Sequence, residues 1–344
     1  MMILAIETSC DETAAAVVSK NSQKNQVKIL SNVISSSLAL HSKTGGVIPD
    51  IAAREQLKFI IPVIETALKK AKLKIKDLDA IAVTQGPGLI GSLLIGVETA
   101  KTLAYLWNKP IIPVNHLFGH IYANWLETKN KDFPNKKIAF PALALLVSGG
   151  HTDLTIIKDH GDFKWLGGTR DDAAGEAFDK IGRLLDLPYP AGPIIEKLAK
   201  KGDNKAFNFP RPMIGSKDFD FSFSGLKAAV MREVKKTKNL NEKIKIDIAS
   251  CVQKVIIEVL VRKTLKAAKQ YNVKSILLSG GVAANQKLRD EFELKIKNLD
   301  LKTKLIFPEK SLCTDNAAMI GACALFCPRK ESWKNVTADP ELYF

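Results

Sequence analysis

The chain reads as an α/β protein built from two similar lobes, and three observations carry that expectation. Short apolar strands alternate with longer helical stretches instead of segregating into runs of one kind. The succession of hairpin, helix, strand, helix and strand occurs near the start and begins again near Leu143. With 344 residues and 46% hydrophobic content, the chain has enough apolar material for two cores.

In order, Ile3–Glu7 and Ala14–Val18 are apolar runs of strand length, separated by the polar loop TSCDET at residues 8–13, and Val27–Ser35 follows as a third strand. Residues 51–71 carry apolar positions at helical spacing, Ala80–Thr84 returns as a strand, residues 91–106 form a helix after a glycine loop, and Ile111–Val114 is a strand. The rhythm restarts at Leu143–Val147, turns through SGGHT and continues at Leu154–Lys158; helices, another strand and a final helix follow. We read an ancient duplication in this repetition, with lobes at 1–137 and 138–314 and residues 315–344 returning to the first. Two such lobes with a nucleotide cleft between them are the architecture of the sugar kinase, Hsp70 and actin superfamily. Its phosphate loops correspond here to residues 8–13 and 148–152, joined by the late turn SGGVAAN at 279–285. Glycine suits such loops because a backbone without Cβ approaches phosphate oxygens and offers them N–H groups. The loop TQGPGLIGSLLIGV at 84–97 has glycines explained equally by anion binding at a helix start and by close packing, and it supports the fold more than a site.

The chain has five histidines, and two of them, His116 and His120, stand four apart in NHLFGH, directly after a short strand. On a helix that spacing puts both imidazoles on one face, where they can share a divalent metal. No carboxylate lies between them, so the HExxH pattern of zinc hydrolases is absent and a metallopeptidase is disfavoured. Asp315 begins the last helical segment, where capping is the ordinary role of an aspartate, although a carboxylate there could also complete a metal site. The stretch DDAAGEAFDKIGRLL reads as a helix from Asp171, whose first-turn acids Asp171 and Asp172 suit the helix dipole. Asp179 falls later and, with YPAGP after it, is a candidate to accept hydrogen bonds from a ligand.

A formal net charge of +15 suits a polyanionic partner, yet the densest runs, Lys69–Lys76 and Lys235–Lys238, each read as solvated helix ends when taken singly. Cys10, Cys251, Cys313, Cys323 and Cys327 are too irregular for a disulfide framework and include no CxxC pair. The start MMILAIETS lacks a basic leader, and no apolar stretch reaches membrane-spanning length, so the expected location is cytoplasmic, with no membrane partner.

The motifs IETSCDETAAAVV, GGVIPDIAAREQL, GPGLIGSLLIG, NHLFGH, LLVSGGHTDL, DDAAGEAFDK, FPRP, FSFSGLK, SGGVAANQKLR and CTDNAAMI, in this order from Ile3 to Gly321, resemble the bacterial TsaD family. These are the tRNA N6-adenosine threonylcarbamoyltransferases, once described as O-sialoglycoprotein endopeptidases. The resemblance implies an actin-like fold and transfer of threonylcarbamoyl from threonylcarbamoyl-AMP to the adenosine 3′ of a tRNA anticodon. It implies one divalent metal, iron before zinc, on His116, His120 and Asp315. It also implies substrate contacts at Leu146, Val147, Ser148, Gly149, Gly150, Asp179, Gly192 and Asn285, and partners of the TsaB and TsaE kinds besides tRNA. Asp11 and Glu12, in the first hairpin loop, are the candidates for a general base, whereas Ser9 and Cys10 are read as loop geometry. Relatives commonly carry glutamate where this chain has Phe118 and often histidine where it has Gln56. The competing readings are an ATP-binding module of the Hsp70 and actin type without acyl transfer, and a metallopeptidase.

Overall fold

The computed structural model describes residues 1–344 apart from 22, 129–136, 238, 239 and 300, so Lys238 of the second basic run lies outside the described residues. The chain divides into two units, Met1–Lys136 with Pro308–Phe344, and Lys137–Phe307.

The first unit contains β1 (Met2–Glu7), β2 (Glu12–Asn21), β3 (Gln26–Ser36), α1 (Leu38–Thr44), α2 (Pro49–Ala71), β4 (Ala80–Gly86), α3 (Ile90–Trp107), β5 (Ile111–Asn115) and α4 (His116–Tyr122). The second contains β6 (Ala142–Val147), β7 (Thr152–Asp159), β8 (Asp162–Gly168), α5 (Ala174–Leu184), α6 (Gly192–Ala199), α7 (Ser224–Lys236), α8 (Glu242–Gln270), β9 (Ser275–Ser279), α9 (Gln286–Asn298) and β10 (Lys304–Ile306). The chain then returns to the first unit as α10 (Ala317–Phe326).

Each unit is built on a five-stranded sheet among the described residues, ordered β3-β2-β1-β4-β5 in the first and β8-β7-β6-β9-β10 in the second. Both pair their first three strands antiparallel and add the last two in parallel, so the second sheet repeats the topology of the first. The repetition follows from the strands themselves. β1 and β6 are central and buried, and they read as continuous apolar runs because neither face meets water.

α10 shows how the sequence sets a close approach. All ten of its residues are buried, and it packs over β1 and β2. A Cβ on Gly321 would lie 2.4 Å from a methyl of Val18, so glycine is what lets the helix settle onto the sheet. Burial of Met319, Ile320 and Leu325 contributes roughly 1.5–3 kcal/mol each.

Two helix starts differ from their sequence expectations. α5 begins at Ala174, not at Asp171, because Thr152 Oγ1 accepts the Ala174 N–H at 2.8 Å and Glu176 Oε2 accepts that of Ala173 at 3.2 Å. Asp171 and Asp172 therefore precede the helix and serve other partners. Similarly, Asp315 does not cap α10; Asn316 does, its Oδ1 accepting the Met319 N–H at 3.1 Å.

Candidate functional site

β5 runs directly into α4, and Asn115 makes the junction. Its side-chain oxygen accepts the N–H groups of Leu117 and Phe118 at 2.8 and 3.3 Å, capping the helix. His116 is thereby the first helical residue and His120 lies one turn on, with ring centroids 4.7 Å apart and both side chains buried. Between them, Gly119 leaves room for α10: a Cβ there would stand 2.7 Å from Ile320 Cδ1. That approach carries the residues preceding α10 up to the histidines.

Asp315 Oδ1 lies 3.1 Å from His120 Nε2 and 3.7 Å from His116 Nε2. One donor atom from each of the three residues falls within 4.8 Å of the others. Among the described residues, neither nitrogen of His120 has a hydrogen-bond partner, although the residue is only 2% exposed. A buried imidazole without hydrogen bonds is costly, and the short approach to Asp315 lacks hydrogen-bond direction, so a cation between these donors fits the arrangement. Two imidazoles and one carboxylate suit a borderline transition metal and leave coordination positions for a substrate.

His116 is oriented from behind. Its Nδ1 lies 3.1 Å from Glu7 Oε2 and 3.1 Å from Ser9 Oγ, while Glu7 also accepts the Ser9 N–H and the Thr84 hydroxyl, each at 2.5 Å. Burial works to lower the His116 pKa, but the charges of Glu7 and Asp315 outweigh it and raise it to about 9. Burial also opposes the ionised form of Glu7, yet the charge and hydrogen bond of His116 hold its pKa below the ordinary range. Two carboxylates thus attract positive charge to this cluster, a proton on His116 or a metal ion in its place. Glu7 escaped the sequence reading; the available signal was a carboxylate ending an otherwise apolar strand.

The loop between β1 and β2 is fixed beside this cluster. Gln56 Nε2 donates to the carbonyls of Cys10 and Glu12 at 3.0 Å each, and Ser92 Oγ donates to the carbonyl of Cys10 at 3.0 Å. Gly88 and Gly96 lie against it, where a Cβ would come within 2.5 Å of the Ser9 carbonyl and 2.2 Å of Thr8 Oγ1. Gly88 and Gly96 therefore serve close packing. Asp11 is buried, and Glu12 accepts the Ser36 hydroxyl at 2.8 Å. Burial, a hydrogen bond with Asp11 and the charges of Asp11 and Asp315 push the Glu12 pKa up to about 9. Burial and the neighbouring carboxylates thus disfavour the ionised form of Glu12. Burial foremost, then nearby Asp11 and Asp315, raises the Cys10 thiol well above its ordinary pKa, leaving it a poor nucleophile.

The segment after Pro328 completes the first unit. Leu342 O accepts from Asn115 Nδ2 at 2.8 Å, Asp339 N donates to Gln85 O at 2.9 Å, and a Cβ on Gly86 would collide with Asp339 O. Phe118 packs its ring on Phe344, with centroids 5.4 Å apart.

The remaining predicted residues belong to the second unit. Leu146 and Val147 are core residues ending β6, and Ser148 closes the following turn with His151 through Ser148 N to His151 O at 2.9 Å and His151 N to Ser148 Oγ at 3.1 Å. A Cβ on Gly149 or Gly150 would meet nothing within 4 Å, whereas one on Gly175 or Gly280 would come 2.4 Å from the carbonyls of Ser148 and Val147. Gly280, at φ +85°, brings the turn after β9 against the 148–151 turn, and Gly175 does the same for the start of α5. Asp179 Oδ1 accepts the Ala191 N–H at 2.7 Å and so braces the start of α6 at Gly192; burial keeps its pKa raised. Asn285 caps α9, accepting Leu288 N–H at 3.1 Å and donating to Gln253 Oε1 at 2.9 Å. The structure thus brings Ser148–Gly150 together with Gly280 and places Asp179 beside Gly192, while Asn285 is engaged at the start of its own helix.

Among the described residues, no helix is long and apolar enough to cross a membrane. Among solved structures, the chain is similar to full-length HypF, with a TM-score of 0.62 and 13% identity over 96% of this chain and 47% of that one. It is also similar to component A of the (R)-2-hydroxyglutaryl-CoA dehydratase of Acidaminococcus fermentans, with a TM-score of 0.52 and 14% identity over 95% and 98% of the two chains. These likenesses establish the actin-like fold. Sequence relatives are far nearer. Proteins named tRNA N6-adenosine threonylcarbamoyltransferase from Anoxybacillus flavithermus and Listeria monocytogenes are each 49% identical, over 99% of this chain and 97% and 96% of theirs. One from Moorella thermoacetica is 49% identical over 94% of this chain and 91% of its own. The family model described as TsaD, tRNA N6-adenosine threonylcarbamoyltransferase, matches residues 28–322, and the chain belongs to that family.

Proposed function

We propose that this chain transfers the threonylcarbamoyl group of threonylcarbamoyl-AMP to the N6 amine of the adenosine 3′ of the anticodon, in tRNAs reading codons that begin with A, with AMP as the leaving group. The observation that carries this reading is the cluster of His116, His120 and Asp315, in which a buried imidazole makes no hydrogen bond among the described residues, in a chain of this family.

The chemical difficulty is the nucleophile, because an exocyclic adenine amine is delocalised into its ring. The acyl carbon must therefore be made more electrophilic and held in line. A divalent metal on His116, His120 and Asp315, iron by family resemblance or zinc on donor chemistry, would supply Lewis acidity toward the threonylcarbamoyl oxygens. Glu7 holds His116 so that Nε2 faces the other donors. The turn at Ser148–Gly150 offers exposed backbone, unobstructed by side chains, to the adenylate phosphate, with Leu146 and Val147 fixing the strand end that bears it. Asp179, with Gly192, and Asn285 are assigned to the adenylate as well. Asp11 and Glu12, in the loop beside the histidine cluster, are the candidates for the base that takes the proton of the N6 amine. Partners resembling TsaB and TsaE and a cytoplasmic setting complete this reading. The metallopeptidase alternative has no carboxylate between the histidines to activate water.

The test is reconstitution with threonylcarbamoyl-AMP, unmodified tRNA and the partner proteins, followed by mass spectrometry of the digested nucleosides. N6-threonylcarbamoyladenosine and stoichiometric AMP are expected. ATP or peptide hydrolysis with no modified adenosine would overturn the assignment.

A further inference from the structure

The motif FPRP has no role in the chemistry above, yet it forms one wall of a cavity of about 570 Å³ in the second unit, whose other wall is α7. Its apolar part includes Phe207 and Phe209, nearly parallel rings with centroids 5.7 Å apart and an interplanar angle of 11°. Phe209 is 5% exposed and belongs to the core, whereas Phe207 is only partly buried and leaves ring surface to the cavity.

Arg211 stiffens this wall. Its guanidinium donates to Glu258 at 2.8 Å, to the Phe209 carbonyl at 2.7 Å and to Asn208 Oδ1 at 3.2 Å, so its charge is spent on holding the segment's shape. The opposite wall differs. Arg232 and Lys236 stand four apart on α7, exposed, and neither makes an ion pair or side-chain hydrogen bond among the described residues. Glu233, between them in sequence, is the one carboxylate among the described residues that line the cavity.

A half-buried aromatic face flanked by two uncommitted cations is the combination that binds single-stranded nucleic acid: a base stacks on the ring while its flanking phosphates meet the cations. The volume falls in the range of small-molecule sites and accommodates one nucleotide. The fixed position of Arg211 means that the floor is formed before binding.

We infer that this groove docks an unpaired nucleotide of the tRNA, its base on Phe207 and its flanking phosphates on Arg232 and Lys236. Glu233 is placed to accept from a base amine. The inference rests on the tRNA substrate proposed above and adds a surface separate from the His116, His120 and Asp315 cluster.

The experiment compares wild type with R232E/K236E and with Phe207→Ala, measuring unmodified tRNA binding by fluorescence anisotropy across a salt series. The charge reversal is expected to weaken tRNA binding at least about tenfold and to make the slope of log affinity against log salt shallower by roughly 1.4–1.8, the value for two phosphate contacts. Phe207→Ala should weaken binding roughly tenfold without changing the slope, because stacking is not ionic. AMP binding, measured by calorimetry, and the melting temperature should be unchanged in the charge reversal. If wild type modifies tRNA and R232E/K236E keeps its tRNA affinity and salt slope, the groove assignment is overturned while the transferase reading stands. Wild type that neither binds nor modifies tRNA would overturn the transferase reading itself. Loss of binding to a polyglutamate probe with tRNA affinity intact would also overturn the assignment, pointing to an acidic protein segment.

Discussion

Glu7 Oε2 lies 3.1 Å from Nδ1 of His116, on the side of the ring away from Asp315. With a metal bound, that pairing would keep the hydrogen of His116 on Nδ1 and direct Nε2 toward the other donors. Glu7→Gln keeps the shape but can present an N–H where His116 needs an acceptor. Metal affinity should fall by about 10–100-fold, read by titrating the metal-free protein with cobalt and following its absorption. Wild-type affinity in the variant would show that Glu7 serves only the β1 hairpin.

Removing a donor outright should do more. His116→Ala, His120→Ala and Asp315→Ala should each reduce bound metal, measured by elemental analysis of protein purified without chelator, beyond the loss caused by Glu7→Gln. Circular dichroism should remain that of a folded protein, because the donors lie on the short helix α4 and just before α10 and not in the sheet core. Asp315→Ala should abolish nucleoside formation while leaving tRNA binding near wild type, since dispersed cations hold the polyanion.

The glycines of the second unit should divide into two classes. Gly280→Ala meets the Val147 carbonyl and a backbone conformation that disfavours a side chain, and it should cost about 1–3 kcal/mol of stability in urea melts. Gly149→Val has open space around it and should leave stability within about 0.5 kcal/mol, yet weaken AMP binding measured by calorimetry. Unchanged AMP affinity would remove the 148–150 turn from the nucleotide site.

Asp171 gives a pH-dependent contribution. Partial burial alone would raise its pKa, but hydrogen bonds from the Ser222 and Ser224 hydroxyls and from the N–H groups of Phe223 and Ser224 lower it from 3.8. A depressed folded pKa means stability that is fully present above the unfolded value and lost as pH falls through the folded one. Asp171→Ala should therefore destabilise by roughly 1 kcal/mol at pH 7, discounted for exposure, and the difference from wild type should shrink below about pH 4. Urea melts at pH 7, 4 and 3 measure this, and a constant difference would show that charge has no part.

The strand cores and the histidine pair were legible because each depends on spacing within one short stretch, period two or continuous burial for the strands and four residues for His116 and His120. Asp315 was ambiguous by spacing because its role depends on its neighbour: Asn316 takes the cap, and Asp315 approaches His120 on α4 instead. Asp171 and Asp172 misled for a related reason, since Thr152 and Glu176 supply the first helical N–H groups with acceptors and Asp171 is claimed by residues about fifty positions later. Glycines look alike in a sequence; whether a Cβ would strike Asp339, as at Gly86, or nothing, as at Gly149, depends on chain segments far away.

The placement of Asp315 in the returning segment also gives the metal centre a history during synthesis. His116 and His120 leave the ribosome with the first stretch of their unit, but their carboxylate partner follows only after all of Lys137–Phe307 has been made. At elongation rates of about 5–20 residues per second, the pair waits on the order of 10–40 seconds for its third donor. A site built on all three donors therefore exists only once the chain has been made through Asp315, whereas the histidine pair is complete about two hundred residues earlier.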